Sequence, residues 1–254
     1  WMFIKQRPYD VIANPDKQPK GIFISGFDSA PLAPDYSFVL KGQASVLQTA
    51  VDALSKIAKV HISVSAREKN IELENLKNVE LACFDGPHPA GNVGIQINHL
   101  DPVNKGETVW TVNIQDLAVI GRFLQTGKVD LVKLVALTGP MVISPMYYRY
   151  RYGAPVSQIV KGSVYKEIPL RIISGNVLSG HQVELDEILE PTANQISVIS
   201  EGSETHEFMG WIMPRFNIFS QNRTVPSSML FFKKDFDFDA RLLGGRRAII
   251  VSGE

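Results

Sequence analysis

The first half of the chain alternates short apolar runs with segments whose apolar residues recur at helical spacing. Strands are predicted at residues 21–26, 60–65, 79–84 and 109–112. Gln43–Ala58 gathers its apolar side chains on one helical face. A further helix is predicted over Ile114–Leu124, with Asn113 as its N-cap and Gly127 just beyond its end. Strands that alternate with helices favour parallel βαβ units, so residues 1–130 are predicted to form a three-layer α/β domain.

The pattern changes near Leu131. Val132–Leu137 and Met146–Tyr152 are strand-like and flank a Gly-Pro turn, which predicts a hairpin. Ala154–Val160 predicts no more than a short helix, and Leu170–Ser174 is again predicted to be a strand. Residues 131–200 are therefore predicted to form a small α+β unit.

The last part of the chain is predicted to be rich in strands. Gln195–Ser200 and Glu207–Ile212 flank a turn and predict a second hairpin. In Asp235–Asp239, two phenylalanines alternate with three aspartates, as in a half-exposed strand. The chain opens on Trp1 without a start methionine, which suggests a piece of a longer protein with residues 201–254 leading towards a further region.

Composition narrows the function classes. The chain is 44% hydrophobic and 20% charged, and its 26 basic and 26 acidic residues cancel. A zero net charge argues against general nucleic-acid binding. No apolar run approaches the roughly 20 residues that span a bilayer, and no signal peptide is visible. Any membrane role is therefore expected to come through a partner.

Cysteine and histidine give no metal signature. Cys83 is the single cysteine, so neither an internal disulfide nor a cysteine-ligated cluster is predicted. It lies in the apolar run 79–84 and is expected to be a core residue of a buried strand. The five histidines are scattered without paired spacing, and no metal ligand is predicted.

The most distinctive motif runs from Asp85 to Gly94, DGPHPAGNVG, between a predicted strand and a helix predicted at Gly91–Leu100. In an open α/β sheet this is the edge where ligands bind, and glycines let the backbone approach them. The candidate ligand-contact residues are Gly86, His88, Pro89, Gly91, Asn92 and Gly94. The alternative is a rigid connection without a ligand, because two prolines stiffen the loop and remove hydrogen-bond donors. We expect the loop at the carboxyl edge of the parallel sheet, with His88 and the prolines filling a vestigial site.

Two other regions are weaker candidates. Asp28 and Ser29 follow the first long strand and either contact a ligand or close an Asx-type turn, which is the favoured interpretation. Trp211 and Met213 fit a partner or quinone-like surface if exposed, and a core if buried. The chain contains no P-loop, GxSxG or GxGxxG motif, and no catalytic residue is predicted.

Several motifs resemble one family. They are Arg7-Pro8-Tyr9, Gly86–Gly91, Val109–Asn113 with Gln115-Asp116, Leu124–Gly127, Arg171–Gly180 and Phe208–Pro214. In this order they are similar to the A subunit of the bacterial sodium-translocating NADH:quinone reductase. The resemblance runs through nearly the whole chain, which would be the middle portion of that protein.

The resemblance implies a Rossmann-like domain followed by a ubiquitin-like β-grasp domain of the soluble-ligand-binding type. It also implies a peripheral subunit on the cytoplasmic face of the bacterial inner membrane, beside the membrane-embedded B subunit. Such a protein would contribute to ubiquinone binding and to assembly of a complex that couples electron transfer to Na+ export. The NADH site, the flavins and the iron–sulfur centre would be carried by other subunits, and this chain would bind none of them.

Two other functions stay open at this point. A flavin- and NADH-binding subunit like that of respiratory complex I would need a loop of the form GRGGAGFP, and the nearest stretch here is Gly244-Gly245-Arg246. A purely structural docking subunit would need no ligand loop at all.

Overall fold

The computed structural model describes residues 1–165 and 167–202, and it is built on two mixed β-sheets. The strands are β1 (Ile4–Arg7), β2 (Val11–Ile12), β3 (Ile22–Ser25), β4 (Val60–Ser65), β5 (Glu80–Phe84), β6 (Val109–Val112), β7 (Val132–Thr138), β8 (Met146–Arg151), β9 (Leu170–Ser174), β10 (His181–Gln182) and β11 (Gln195–Ser200). The helices are α1 (Tyr36–Val39), α2 (Ala44–Leu54), α3 (Ile71–Glu74), α4 (Val93–Leu100), α5 (Ile114–Thr126) and α6 (Ser157–Val160). The chain is therefore of mixed α/β class.

The first sheet has the strand order β2-β1-β6-β3-β4-β5, and β6, β3, β4 and β5 are parallel. Both faces of β3 are buried, which explains its uninterrupted apolar sequence. Ile22 and Ile24 pack into the large core beneath α2 and α5, whereas Phe23 points to the other face and packs with Ile97 of α4. Helices thus cover both faces of this sheet, as the alternating pattern predicted.

The antiparallel extension of this sheet was not predicted. Strand β1 pairs with β6 and with the short β2. In its sequence, Ile-Lys-Gln-Arg, the side chains of Ile4 and Gln6 are buried, and those of Lys5 and Arg7 lie on the other face. Because one of the two buried positions is a glutamine, the apolar alternation that marks a half-buried strand is missing.

The second sheet has the order β10-β9-β11-β7-β8. The predicted hairpin is confirmed, because β7 and β8 pair antiparallel from Val132↔Arg151 to Leu137↔Met146. Strand β11 lies in the middle, parallel to β7 and antiparallel to β9. Its core side chains, Ile196 and Val198, pack on Val135 and Leu137 and on helix α6.

Two sequence predictions are corrected by the structure. Strand β5 forms the edge of its sheet, so Cys83 is exposed and is not a core residue. Helix α4 begins at Val93, after the N-cap Asn92, rather than at Gly91. Glu207–Ile212, the second strand of the other predicted hairpin, and Asp235–Asp239 lie outside the described residues.

None of the helices in the described ranges is long and apolar enough to cross a membrane.

Candidate ligand cleft between the two sheets

The first sheet contains a topological switch point. From β3 the chain crosses to β4 and then β5 on one side, and it returns to β6 on the other side of β3. The connections that leave β3 and β6 therefore diverge at their carboxyl ends and open a crevice, which is where open α/β sheets bind ligands.

A cleft of about 670 Å³ occupies this position and extends to the second sheet. Its volume is in the range of small-molecule sites. One wall is formed by the ends of β3 and β6 and by the first turns of α4 and α5, and the other by loops of the second sheet. Lining residues with polar side chains include Ser25, Asp28, Asn92, Thr111, Asn113, Asp116, Asn176, Asn194 and Gln195.

The residues predicted from the DGPHPAGNVG motif divide into two groups. Gly91, Asn92 and Gly94 line the cleft at the start of α4. Gly86, His88 and Pro89 belong to the same loop but do not line it. Trp211 and Met213 lie outside the described residues. The motif thus supplies one rim of the cleft through its last part.

The first part of the motif is tied to the loop that follows β3. Ser29 Oγ accepts a hydrogen bond from the Gly91 amide at 2.8 Å and lies 3.1 Å from His88 Nδ1. Ser25 Oγ donates to the Gly91 carbonyl at 2.9 Å and accepts from Gln96 Nε2 at the same distance. A side chain at Gly91 would place its Cβ 2.4 Å from the Ser29 nitrogen, so only glycine allows this approach. His88 therefore participates in a packed loop–loop contact.

The loop after β3 also reaches the second sheet. Asp28 Oδ1 accepts from the Ala30 amide at 2.8 Å, which confirms the Asx-type turn. Beyond this turn the Pro31 carbonyl accepts from Gln195 Nε2, and the Asp35 amide donates to the Tyr147 hydroxyl. This connection helps to hold the two walls of the cleft together.

Buried amide side chains join the sheets directly. The side chain of Gln115, in the first turn of α5, forms hydrogen bonds with both the carbonyl and the amide of Leu134 on β7. Asn194 donates to the Tyr36 hydroxyl at 2.7 Å and to Asn113 Oδ1 at 3.3 Å, and its own Oδ1 accepts from Gln115. Burial raises the pKa of Tyr36 well above its usual value, so the phenol stays neutral.

An ionisable cluster lies beside these amides. The Tyr152 hydroxyl donates to Asp116 Oδ1, and Lys133 Nζ lies 4.7 Å from the centre of the Tyr152 ring. Lys133 also donates to the carbonyl oxygens of Pro191 and Ala193 at 2.7 and 2.5 Å. Burial raises the pKa of Asp116 to about 6 and lowers the pKa of Lys133 to about 8. Burial also raises the pKa of Tyr152, so its hydroxyl remains a proton donor.

The cleft therefore presents polar side chains together with Asp116, a buried carboxyl group whose pKa is raised to about 6. Within the described ranges, His, Cys, Asp and Glu side chains form no group of three that would hold a metal ion. Asp116, Lys133, Tyr152, Asn194 and Gln195 were not found by sequence reasoning. A charged residue within β7 was the one local signal, since Lys133 interrupts an otherwise apolar run.

Comparisons with family models and with curated proteins point to one and the same family. Residues 1–129 match the family model described as NqrA second alpha/beta domain, and residues 134–184 match the one described as NQRA C-terminal domain. The A subunit of the Na(+)-translocating NADH-quinone reductase of Rhodopirellula baltica is 36% identical over 255 residues, which covers 100% of this chain and 56% of that protein. The Pasteurella multocida protein of the same name is 36% identical over 256 residues, with the same coverage. The chain thus spans about half the length of the curated relatives it matches.

Among solved structures, an NAD+-reducing NiFe hydrogenase in its H2-reduced state aligns with a TM-score of 0.49 and 15% identity. The alignment covers 72% of this chain and 41% of the hydrogenase chain.

Proposed function

We propose, because the chain belongs to the NqrA family of Na(+)-translocating NADH-quinone reductase subunits, that it is part of a subunit of that respiratory enzyme. The observation that carries the proposal is the match of two consecutive family domains, together with 36% identity along the entire chain. In this proposal the protein assembles with partners that move electrons from NADH to ubiquinone and export Na+.

The finer architecture is part of the proposal. We assign residues 1–130 to a Rossmann-like domain, 131–200 to a ubiquitin-like β-grasp domain and 201–254 to a segment leading towards a further region. Four parallel strands with helices on both faces support the first assignment. The five-stranded mixed sheet packed on α6 supports the second.

The chain's role is contact and assembly rather than electron transfer. NADH, the flavins and the iron–sulfur centre are assigned to other subunits, and ubiquinone is the substrate of the complex. The partner that faces this chain is the membrane-embedded B subunit, on the cytoplasmic face of the inner membrane. These assignments are part of the proposal and rest on the resemblance to the family, and the isolated chain is expected to lack NADH:quinone reductase activity.

The DGPHPAGNVG loop has a divided role in this proposal. Gly91, Asn92 and Gly94 form a rim of the cleft and are the candidates for contact with ligand or partner. Gly86, His88 and Pro89 stabilise the loop, since His88 is engaged with Ser29. Trp211 and Met213 are kept as candidates for contact with quinone or with the B subunit.

A photoreactive quinone applied to the assembled complex tests the contact role. Crosslinked peptides from the cleft rim, from 211–213, or from both would support quinone contact by this chain. Labelling confined to other subunits would leave it as a docking subunit. His88→Ala in the same complex tests the loop: a fall in quinone reduction with normal assembly would overturn the structural role of His88, whereas reduced assembly alone supports it.

A further inference from the structure

Strand β8 leaves one side of the second sheet open. It stands last in the strand order, and within the described ranges β7 is its single neighbour. In such a strand every second residue directs its backbone N–H and C=O groups away from the sheet. With six residues β8 is also the longest edge strand, since β5 has five residues and β2 and β10 have two each. A further strand can therefore add to β8 through main-chain hydrogen bonds.

Apolar side chains line one face of this edge. Met146 and Tyr148 pair with Leu137 and Val135, whose side chains belong to the core of the second sheet. Residues that face each other across two strands lie on the same side of the sheet, so Met146 and Tyr148 border this core. Because Met146 is 47% exposed, the border of the core is incomplete at β8.

The opposite face of β8 carries two arginines. Arg149 and Arg151 are exposed, and neither forms a salt bridge within the described ranges. Residues two apart in a strand point to the same side at a spacing of about 7 Å. The best complement to β8 is therefore a strand with acidic residues at every second position and apolar residues between them.

One segment of the chain has this pattern. Asp235-Phe236-Asp237-Phe238-Asp239 alternates three carboxylates with two phenylalanines, so as a strand it would have one acidic and one apolar face. The segment lies outside the described residues. Residues 203–234 precede it and can span up to about 100 Å when extended, which is more than the diameter of a domain of this size. The segment can therefore reach β8.

Charge favours β8 over the other long edge strand. Strand β5 begins with Glu80 and is followed by Asp85, and both carboxylates are exposed. Like charges that face each other across two strands repel, so β5 disfavours an acidic strand.

We propose that residues 235–239 add to the free edge of β8 as a sixth strand of the second sheet. The aspartates lie opposite Arg149 and Arg151, and the phenylalanines cover Met146 and extend the core. The surface formed by β8 is thus a docking site for a later segment of the same chain.

Zero-length crosslinking of the 254-residue chain tests this contact. Carbodiimide joins a carboxylate to an amine but not to a guanidinium, so Arg149→Lys/Arg151→Lys keeps both charges and makes the contact detectable. We expect peptides that join position 149 or 151 to residues 235–239 within one molecule. Their yield should exceed at least about tenfold that of peptides joining the same segment to Lys77, an exposed lysine near β5. Equal yields, crosslinks between two molecules alone, or no crosslink to 235–239 would overturn the proposal.

Hydrogen exchange of the unaltered chain separates a covered edge from one that is only guarded by charge. Charged residues on an edge strand can also serve to prevent strand addition. A covered β8 has protected amides on both of its sides, whereas a guarded edge has protected amides on the side of β7 alone. Open-side amides of 146–151 that exchange as fast as those of an unstructured peptide would overturn the proposal.

Charge reversal tests the pairing of arginine with aspartate. Arg149→Glu/Arg151→Glu should raise the exchange rates of the open side of β8 and of 235–239 at least about tenfold. Adding Asp235→Lys/Asp237→Lys/Asp239→Lys should restore protection, and the control Lys77→Glu should change neither segment. Protection that survives the reversal would overturn the proposal. If the arginine variant fails to fold, the aspartate variant alone replaces it, and unchanged exchange has the same meaning.

Discussion

The Gln115 side chain holds the backbone of Leu134 by both of its polar groups. Nε2 donates to the Leu134 carbonyl at 2.8 Å, and Oε1 accepts from the Leu134 amide at 2.9 Å. Gln115 belongs to α5, which packs on the first sheet. Its side chain thus pairs with the backbone of β7 in the second sheet as a neighbouring strand would. Gln115 is 5% exposed, so water does not compete for these bonds.

Gln115→Ala is expected to lower the free energy of unfolding by about 2–3 kcal/mol, because it leaves two backbone groups of Leu134 unpaired. Urea denaturation measures the change. Gln18→Ala is the control, since Gln18 is exposed and makes one 3.3 Å bond, and it should cost less than about 0.5 kcal/mol. Equal effects of the two substitutions would show that the contact between the sheets is not stabilised by Gln115.

Gly121→Ala should destabilise the packing of α5 on α2. A Cβ at this position would lie 2.1 Å from the Val46 carbonyl oxygen, which belongs to the backbone and cannot rotate away. We expect a loss of about 2–3 kcal/mol, as for other substitutions that overfill a close contact. Gly94→Ala is the matched control, because a Cβ there meets no atom within 4 Å. A Gly121→Ala chain with the melting temperature of the unaltered protein would contradict this packing.

The buried carboxyl group of Asp116 predicts a specific pH dependence. Its pKa is raised from 3.8 to about 6 on folding, so between these values the folded chain binds more protons than the unfolded chain. Its contribution to stability therefore falls as pH rises from about 4 to about 6 and remains lost above that, by about 2–3 kcal/mol. As pH rises through this window, the free energy of unfolding of the unaltered chain should fall by up to about 2–3 kcal/mol relative to that of Asp116→Asn, which cannot titrate. Parallel pH profiles would contradict the assignment.

Ser29→Ala should loosen the DGPHPAGNVG loop. It removes the acceptor of the Gly91 amide and the partner of His88 Nδ1. We expect the Gly91 amide to exchange with solvent about tenfold faster, which corresponds to about 1.4 kcal/mol of local protection. Ser179→Ala, on the opposite wall of the cleft, serves as the control. No change at Gly91 would mean that Ser29 does not hold the loop.

Elements marked by local signals were predictable from the sequence. Helix α5 was placed within two residues, because Asn113 caps its start and Gly127 adopts the left-handed conformation at its end with φ of 68°. The strand at 60–65 was placed correctly because the pattern of apolar and polar residues that predicts it lies entirely within the strand itself. Cys83 was misplaced because an apolar run does not tell whether its strand lies at the centre or at the edge of a sheet.

The cleft was predictable only in part. The DGPHPAGNVG motif indicated the correct edge of the sheet, since it follows a strand and precedes a helix. The opposite wall was not predictable, because Tyr36 and Asn194 meet across 158 residues of sequence. Asp116 and Lys133 likewise come near each other only when the two sheets pack together, and their spacing in the sequence does not indicate this.

Affinity purification of the protein that contains this chain, from gently solubilised membranes, tests the central claim most directly. We expect it to co-purify with membrane proteins and with NADH:quinone reductase activity that Na+ stimulates. The claim would be contradicted if the protein purifies without any membrane protein, if the reductase activity stays entirely in the unbound fraction, and if deletion of its gene leaves that activity unchanged.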